Sequence, residues 1–343
     1  MLAATLALAL AGSIGAARAE ALRTHHFLTP PSVTHSGMLK PLSDRLAAET
    51  GGALTLALFP AMQLGGSPRQ LFDQARDGFV DVAWTLPSYT AGRFPIVEVF
   101  ELPFVGESAE ATSQAITEFA ARHLGAEVAD VHVLQLHAHA PATLHMGQRR
   151  IASMDDMRGL KIRTPGRAIA DSITALGGNP VFMPVPDVQQ SLARGVIDGA
   201  AIPFEVALPL RIHDVTRSHT AIGLYTGVFL LAMNKARYNA LAPALRQALD
   251  RNTGLGLAKE VGRLWDEAEI PGRAAVVARG NEIVGIDAAE RARWVAATRP
   301  VIEAWVAETD KRGVPGAALL DEARRLIAKY EAARVSSGAP PSR

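Results

Sequence analysis

Two well-separated stretches of this chain follow one pattern: a Gly-Gly pair, a short apolar strand, a proline, a helix, a Gly-x-x-Asp turn and a second strand. In the first, Gly51-Gly52 precedes Ala53–Phe59 and Pro60, and the next helix stops at Gly78 before Phe79–Thr85. In the second, Gly177-Gly178 precedes Pro180–Met183 and Pro184, Asp187 opens the helix Val188–Arg194, and Gly195 ends it before Val196–Ile202. The two turns are Gly78–Asp81 and Gly195–Asp198. Alternating short strands and helices predict an α/β chain. Two copies are too few for a solenoid, so the unit is expected once in each of two lobes. Open α/β sheets place ligands in the crevice at their carboxyl edges, here between the lobes.

Local signals support that outline. Ser67-Pro68-Arg69-Gln70 predicts a helix start, with Ser as N-cap, Pro at N1 and Gln at N3 closing a capping box. Ala109–Leu124 reads as a helix, and Val131–Leu136 as a strand continuing as a crossing towards Thr143. Leu160–Arg163 reads as a strand stopped by Thr164-Pro165-Gly166. From Leu255 onward the chain reads as mainly helical, kinked at Pro271-Gly272.

The 343 residues are 48% apolar, enough for a substantial buried core. Lys and Arg number 35 against 34 Asp and Glu, which leaves no basic surface for nucleic acid or anionic membrane. The absence of cysteine removes disulfides, thiol catalysis and thiolate metal sites. Residues 2–17 are small or apolar and uncharged, and lead into Ala17-Arg18-Ala19, a pattern suited to signal peptidase. Residues 1–19 are therefore expected to be a signal peptide, too short for the ~20 residues of a membrane span. The mature chain is expected in the periplasm, without membrane insertion.

Catalytic signatures are sparse. There is no Gly-x-Ser-x-Gly elbow, P-loop or His-Glu-x-x-His helix. His137-x-His139 could offer two imidazoles to zinc, or be two polar residues on the solvent side of an edge strand. His25 and His26 alternate in facing, so at most one can approach a cleft. Neither a metal nor a cofactor is expected. Arg163 ends a strand just before a turn into a helix, and a guanidinium there presents a rigid fork that matches a carboxylate. Trp84 and Phe204 follow Asp81 and Asp198, and are expected to hold comparable positions from which they sandwich a ligand body. Tyr89, Tyr225, Phe182 and Val185 are further candidates for the wall.

These residues carry a resemblance. Met157-Arg158-Gly159-Leu160-Lys161-Ile162-Arg163-Thr164-Pro165-Gly166 resembles the strand-turn signature of solute-binding proteins of tripartite ATP-independent periplasmic (TRAP) transporters. Phe59-Pro60, Gln63–Gly66, Asp77–Asp81 and Leu102-Pro103-Phe104 resemble the first lobe of that family, and Leu192–Gly199 resembles its second. The resemblance spans roughly residues 22–330. It implies a two-lobed α/β protein that closes over an organic acid, pairs Arg163 with its carboxylate and delivers it to membrane permease subunits. It also implies a long helix spanning both lobes from Leu255 to about Arg279, and crossovers near Ala140–Leu144 and Gly223–Val228. The expected division is 20–140 with 229–262, then 141–228 with 263–330, and a disordered tail at 331–343.

Two departures narrow the ligand. Where many members carry another basic residue on the crossing strand, this chain has Ala142-Thr143-Leu144. After the second Asp-Gly it reads Ala200-Ala201-Ile202-Pro203-Phe204, where sialic-acid-type members have Gln-Glu-Asn-Pro. One cation in an apolar surround is expected to suit a monocarboxylate with an apolar or aromatic body. The alternatives from other classes are an exported hydrolase or metal-dependent enzyme, and a ligand-sensing domain of a receptor.

Overall fold

The computed structural model describes residues 19–338, so all of the expected signal peptide except Ala19 lies outside the described residues. The strands are β1 Glu20–His25, β2 Leu54–Phe59, β3 Val82–Thr85, β4 Val131–Ala138, β5 Thr143–Met146, β6 Lys161–Thr164, β7 Asn179–Phe182, β8 Gly199–Ile202, β9 Ser218–Thr220, β10 Val228–Asn234 and β11 Glu282–Val284. The helices are α1 Lys40–Glu49, α2 Leu71–Arg76, α3 Ala109–His123, α4 Arg167–Ala175, α5 Val188–Ala193, α6 Ile212–Val215, α7 Lys235–Ala240, α8 Pro243–Arg251, α9 Leu255–Ala278, α10 Ala288–Lys311 and α11 Gly316–Ser336. They build an α/β protein with two sheets, ordered β2-β1-β3-β10-β4 and β11-β9-β5-β8-β6-β7.

The repeated sequence pattern becomes a repeated sheet. In each lobe the first strand lies between two parallel neighbours, β1 between β2 and β3, β6 between β7 and β8. The turn aspartates do the same work in both. Asp81 accepts the Arg23 N–H at 2.7 Å, and Asp198 accepts the Lys161 N–H at 2.7 Å. Gly78 and Gly195 stop the preceding helices with φ of +76° and +69°, a region that glycine enters without Cβ strain. The capping box at Ser67 forms as expected, although its first turn is a 3-10 helix.

The fourth strand of each sheet arrives from the other lobe and runs antiparallel: β10 beside β3, β5 beside β8. Between them the chain passes from sheet to sheet at residues 139–142 and 221–227. These two crossings are hydrogen-bonded to each other, His139 N–H to Gly227 O at 3.2 Å and Ala142 N–H to Tyr225 O at 2.8 Å.

Helix α9 runs through Pro271 and touches both lobes, packing on α3 and on the 3-10 turn Phe204–Val206. Glycines mark both contacts. A Cβ on Gly262 would lie 2.5 Å from Ala109 O, and one on Gly272 would lie 2.0 Å from Phe204 O. Between them, Asp266 accepts the Ala109 and Glu110 N–H groups, while Glu269 accepts that of Glu205. Carboxylates at such helix starts satisfy amides that have no partner within the helix.

The C-terminal assignment needs correction. Helix α11, expected with the second lobe, packs along α3 of the first. Its buried stripe, Leu319, Leu320, Ala323, Leu326 and Ile327, needs an apolar partner, and α3 presents one. Lys329 and Tyr330 both donate to Glu118 at 2.6 Å, and Ser108 to Glu331 at 2.6 Å. Residues 331–336, expected in a disordered tail, continue this helix with Arg334 buried.

Candidate functional site

Arg163 reaches its place by strand geometry. On β6 its neighbours Ile162 and Thr164 face the other way, and all three are buried. Arg163 as a whole is 2% exposed. Its Nε donates to Met183 O at 2.9 Å, Nη1 to Ala201 O at 3.4 Å and Nη2 to the Tyr89 hydroxyl at 3.3 Å. Among the described residues no carboxylate pairs with it. A charge buried this deeply without an ionic partner is costly.

Beside it lies a small cavity of about 370 Å³, counted with the open space at its edge. Of the residues singled out in the sequence, Trp84, Tyr89, Val185 and Tyr225 line it with Arg163. Tyr89 accepts hydrogen bonds from Val185 N–H at 2.9 Å and from Arg163, which leaves its own proton to donate. Tyr225 donates to Ala201 O at 3.0 Å. Trp84 offers only its ring, since its N–H is used on His137 Nε2 at 2.9 Å, and it stacks on Phe229 with centroids 4.5 Å apart.

Phe204 and Phe182 do not line this cavity. Counting from the turn aspartates, Trp84 corresponds to Ala201, and Phe204 lies three residues further on, past the strand end. Its ring packs against His145 and His219 and beneath Arg273 of α9, with centroid distances of 4.9, 5.7 and 4.5 Å. Phe182 sits under Arg69 at 4.2 Å and edge-on to Tyr89. Phe27, Leu28, Leu86, Ile202, Val206 and Phe229 complete the apolar wall. They are scattered along the chain in apolar runs, so no local spacing singles them out.

The histidines are internal. His137 and His139 are both buried, not on a solvent face. The His139 Nδ1–H donates to Ala140 O at 2.6 Å and its Nε2 accepts from Gly227 N–H at 2.9 Å, which sets the tautomer. Burial pushes His137 down to about 3 and His139 to about 4, so both are neutral. Among the described residues no cluster of three metal-ligating side chains forms. A larger cavity is lined by Asp266 and Glu269 together with Arg273, Arg291 and Arg334. Its two carboxylates already hold backbone amides, whereas the smaller space beside Arg163 has a buried cation with which no carboxylate pairs among the described residues.

The wall draws residues from both lobes, Phe27, Trp84, Tyr89 and Phe229 from the first and Arg163, Val185, Ile202 and Val206 from the second. Three sets of contacts join the lobes. Tyr89 of the first lobe meets Arg163 and Val185 of the second. Arg69 covers Phe182. Glu98 caps α4, accepting from Ala168 N–H at 3.2 Å and from Arg167 at 3.0 Å. Beside it Gly166 stands so near Ser88 that a Cβ there would come within 2.6 Å of it.

Residues 24–309 match the family described as bacterial extracellular solute-binding protein, family 7. Solved structures agree over nearly the whole chain. A TRAP solute-binding protein from Rhodoferax ferrireducens T118, in complex with copurified benzoate, is 43% identical with a TM-score of 0.89, over 92% of this chain and 99% of that one. A marine metagenome TRAP solute-binding protein specific for aromatic acids, in complex with 3-hydroxybenzoate, is 40% identical with a TM-score of 0.90, over 92% and 99%. One from Bordetella bronchiseptica with bound (R)- and (S)-mandelate is 28% identical with a TM-score of 0.84, over 90% and 99%.

Proposed function

The chain belongs to family 7 of the bacterial extracellular solute-binding proteins, and from that premise we propose that it captures an aromatic monocarboxylate between its lobes. It is a solute-binding component of TRAP transport and not an enzyme. In our reading it works in the periplasm after loss of its leader and hands the acid to the membrane permease subunits. No helix among the described residues is long and apolar enough to cross a membrane.

The observation that carries this reading is Arg163, buried without an ion-pair partner among the described residues, beside a cavity lined mainly by apolar and aromatic residues. A ligand carboxylate supplies the missing countercharge, with the fork of the guanidinium and the Tyr89 hydroxyl as donors. The body of the acid fills the space among Trp84, Phe27 and Phe229. A second carboxylate would enter a site with no second cation and remain unpaired. The aromatic acids bound by the relatives 40–43% identical to the chain support the same class.

No bond is made or broken in this cycle. The acid docks on one lobe, the lobes turn about the paired crossings, and closure removes water from the Arg163 pair. Calorimetry with benzoate, hydroxybenzoates and mandelate against C4-dicarboxylates tests the class. Tight dicarboxylate binding with none for aromatic monocarboxylates would overturn it. Arg163→Ala is expected to fold normally and lose about 2–5 kcal/mol of affinity; unchanged affinity refutes the clamp.

A further inference from the structure

One acidic residue, Glu205, is among those that line the cavity beside Arg163. It belongs to the 3-10 turn Phe204–Val206, which directly follows Ile202 and Pro203 of the wall. The residue is 6% exposed, and its Oε2 has no hydrogen-bond partner. No cation pairs with it among the described residues. The nearest charged influence is a second carboxyl, Glu269, which holds the Glu205 N–H at 2.8 Å.

A carboxyl buried next to another carboxyl keeps its proton. Burial first, and Glu269 second, push Glu205 up to about 8. A neutral carboxylic acid is both a donor and an acceptor, and a buried one without partners is a cost to the fold. Apart from Arg163 and the Tyr89 hydroxyl, which serve the carboxylate, the other hydrogen-bonding side chains of the wall are engaged: the Trp84 N–H on His137, His139 on the two crossings, Tyr225 on Ala201. What remains at Glu205 is a buried polar oxygen without a partner, on a residue of the cavity wall.

We propose that the Glu205 carboxyl recognises a hydroxyl substituent on the body of the acid whose carboxylate Arg163 holds. The assignment rests on the aromatic monocarboxylate reading above and names its specificity. A hydroxyl can accept from the acid proton and donate to the carbonyl oxygen, meeting both needs at once. A second carboxylate would face an acid pair with no spare cation. An ammonium group would share the small cavity with the Arg163 guanidinium.

The test is the ratio of dissociation constants, benzoate over each ring-hydroxylated benzoate, by calorimetry on the wild type, Glu205→Gln and Glu205→Leu. Circular dichroism checks that each variant folds. The wild type is expected to prefer at least one hydroxylated isomer by about tenfold, the effect of one satisfied hydrogen bond in a dry site. Glu205→Gln, nearly isosteric and still a donor and acceptor, keeps much of that ratio. Glu205→Leu brings it close to one, whatever it does to benzoate affinity itself. A wild type that binds benzoate and all hydroxybenzoates alike, or a leucine variant that keeps the preference, overturns the Glu205 assignment alone. A wild type that binds none of these acids overturns the ligand class, and this assignment with it.

Discussion

At Arg163 the question is how a buried cation is tolerated. Met183 O, Ala201 O and the Tyr89 hydroxyl satisfy part of the fork, and none of them carries charge. Those neutral acceptors hold the guanidinium in position while leaving its charge to be met by the ligand. The Trp84 indole shows the same economy of position. Its bond to His137 Nε2 is the reason the ring stands where it does. Trp84→Phe keeps the apolar surface but strands a buried imidazole nitrogen, and is expected to cost about 1–3 kcal/mol of stability. Urea denaturation would measure it; an unchanged midpoint would show that packing alone places the ring.

At the scale of elements, the start of α4 decides how far the cleft can shut. Gly166 is extended, at φ −160°, so it is needed for space and not for backbone freedom. A methyl group there would strike Ser88 of the opposite lobe. Gly166→Ala is therefore expected to wedge the lobes apart and weaken ligand affinity at least tenfold, with little change in the stability of the ligand-free protein. Glu98→Ala removes the cap and the charge partner of the same helix, each worth on the order of 1 kcal/mol. It should accelerate ligand dissociation more than it slows association, because the contact exists only when closed. Stopped-flow release rates equal to those of the wild type would show that this contact does not hold the closed form.

For the whole molecule, burial of titratable groups sets the response to pH. Burial raises Glu101 and Glu205 to about 8, and Glu127 and Glu269 to about 7, all from 4.5. Such groups bind more protons folded than unfolded, so their contribution is complete below pH 4.5 and is lost as pH rises through 7 and 8. Burial lowers His26 and His137 to about 3 and His139 to about 4, from 6.5. Their contribution is complete above pH 6.5 and is lost as pH falls towards 3. Above pH 6.5 only the carboxyls act. Stability is thus expected to fall between pH 6.5 and 8, by on the order of 1 kcal/mol for each such carboxyl. Glu101→Gln, which still offers an acceptor to Val228 N–H, should flatten that fall in urea midpoints; an identical slope would remove Glu101 from the account.

The repeated turns at Asp81 and Asp198, the caps, the long helix from Leu255 and the strand that carries Arg163 were all legible in the chain itself. Each depends on residues a few positions apart, and local backbone chemistry acts at that range. The pairing of α11 with α3, the retreat of Phe204 behind the second sheet and the arrival of Phe27, Phe229 and Glu205 beside Arg163 were not. The apolar run after Asp198 ends one residue before Glu205, and a carboxyl there has no local partner to betray its role. Those placements follow from which faces meet once two lobes pack about shared crossings. Burial, and with it the protonation of Glu205 and the unpaired charge of Arg163, exists only after that packing.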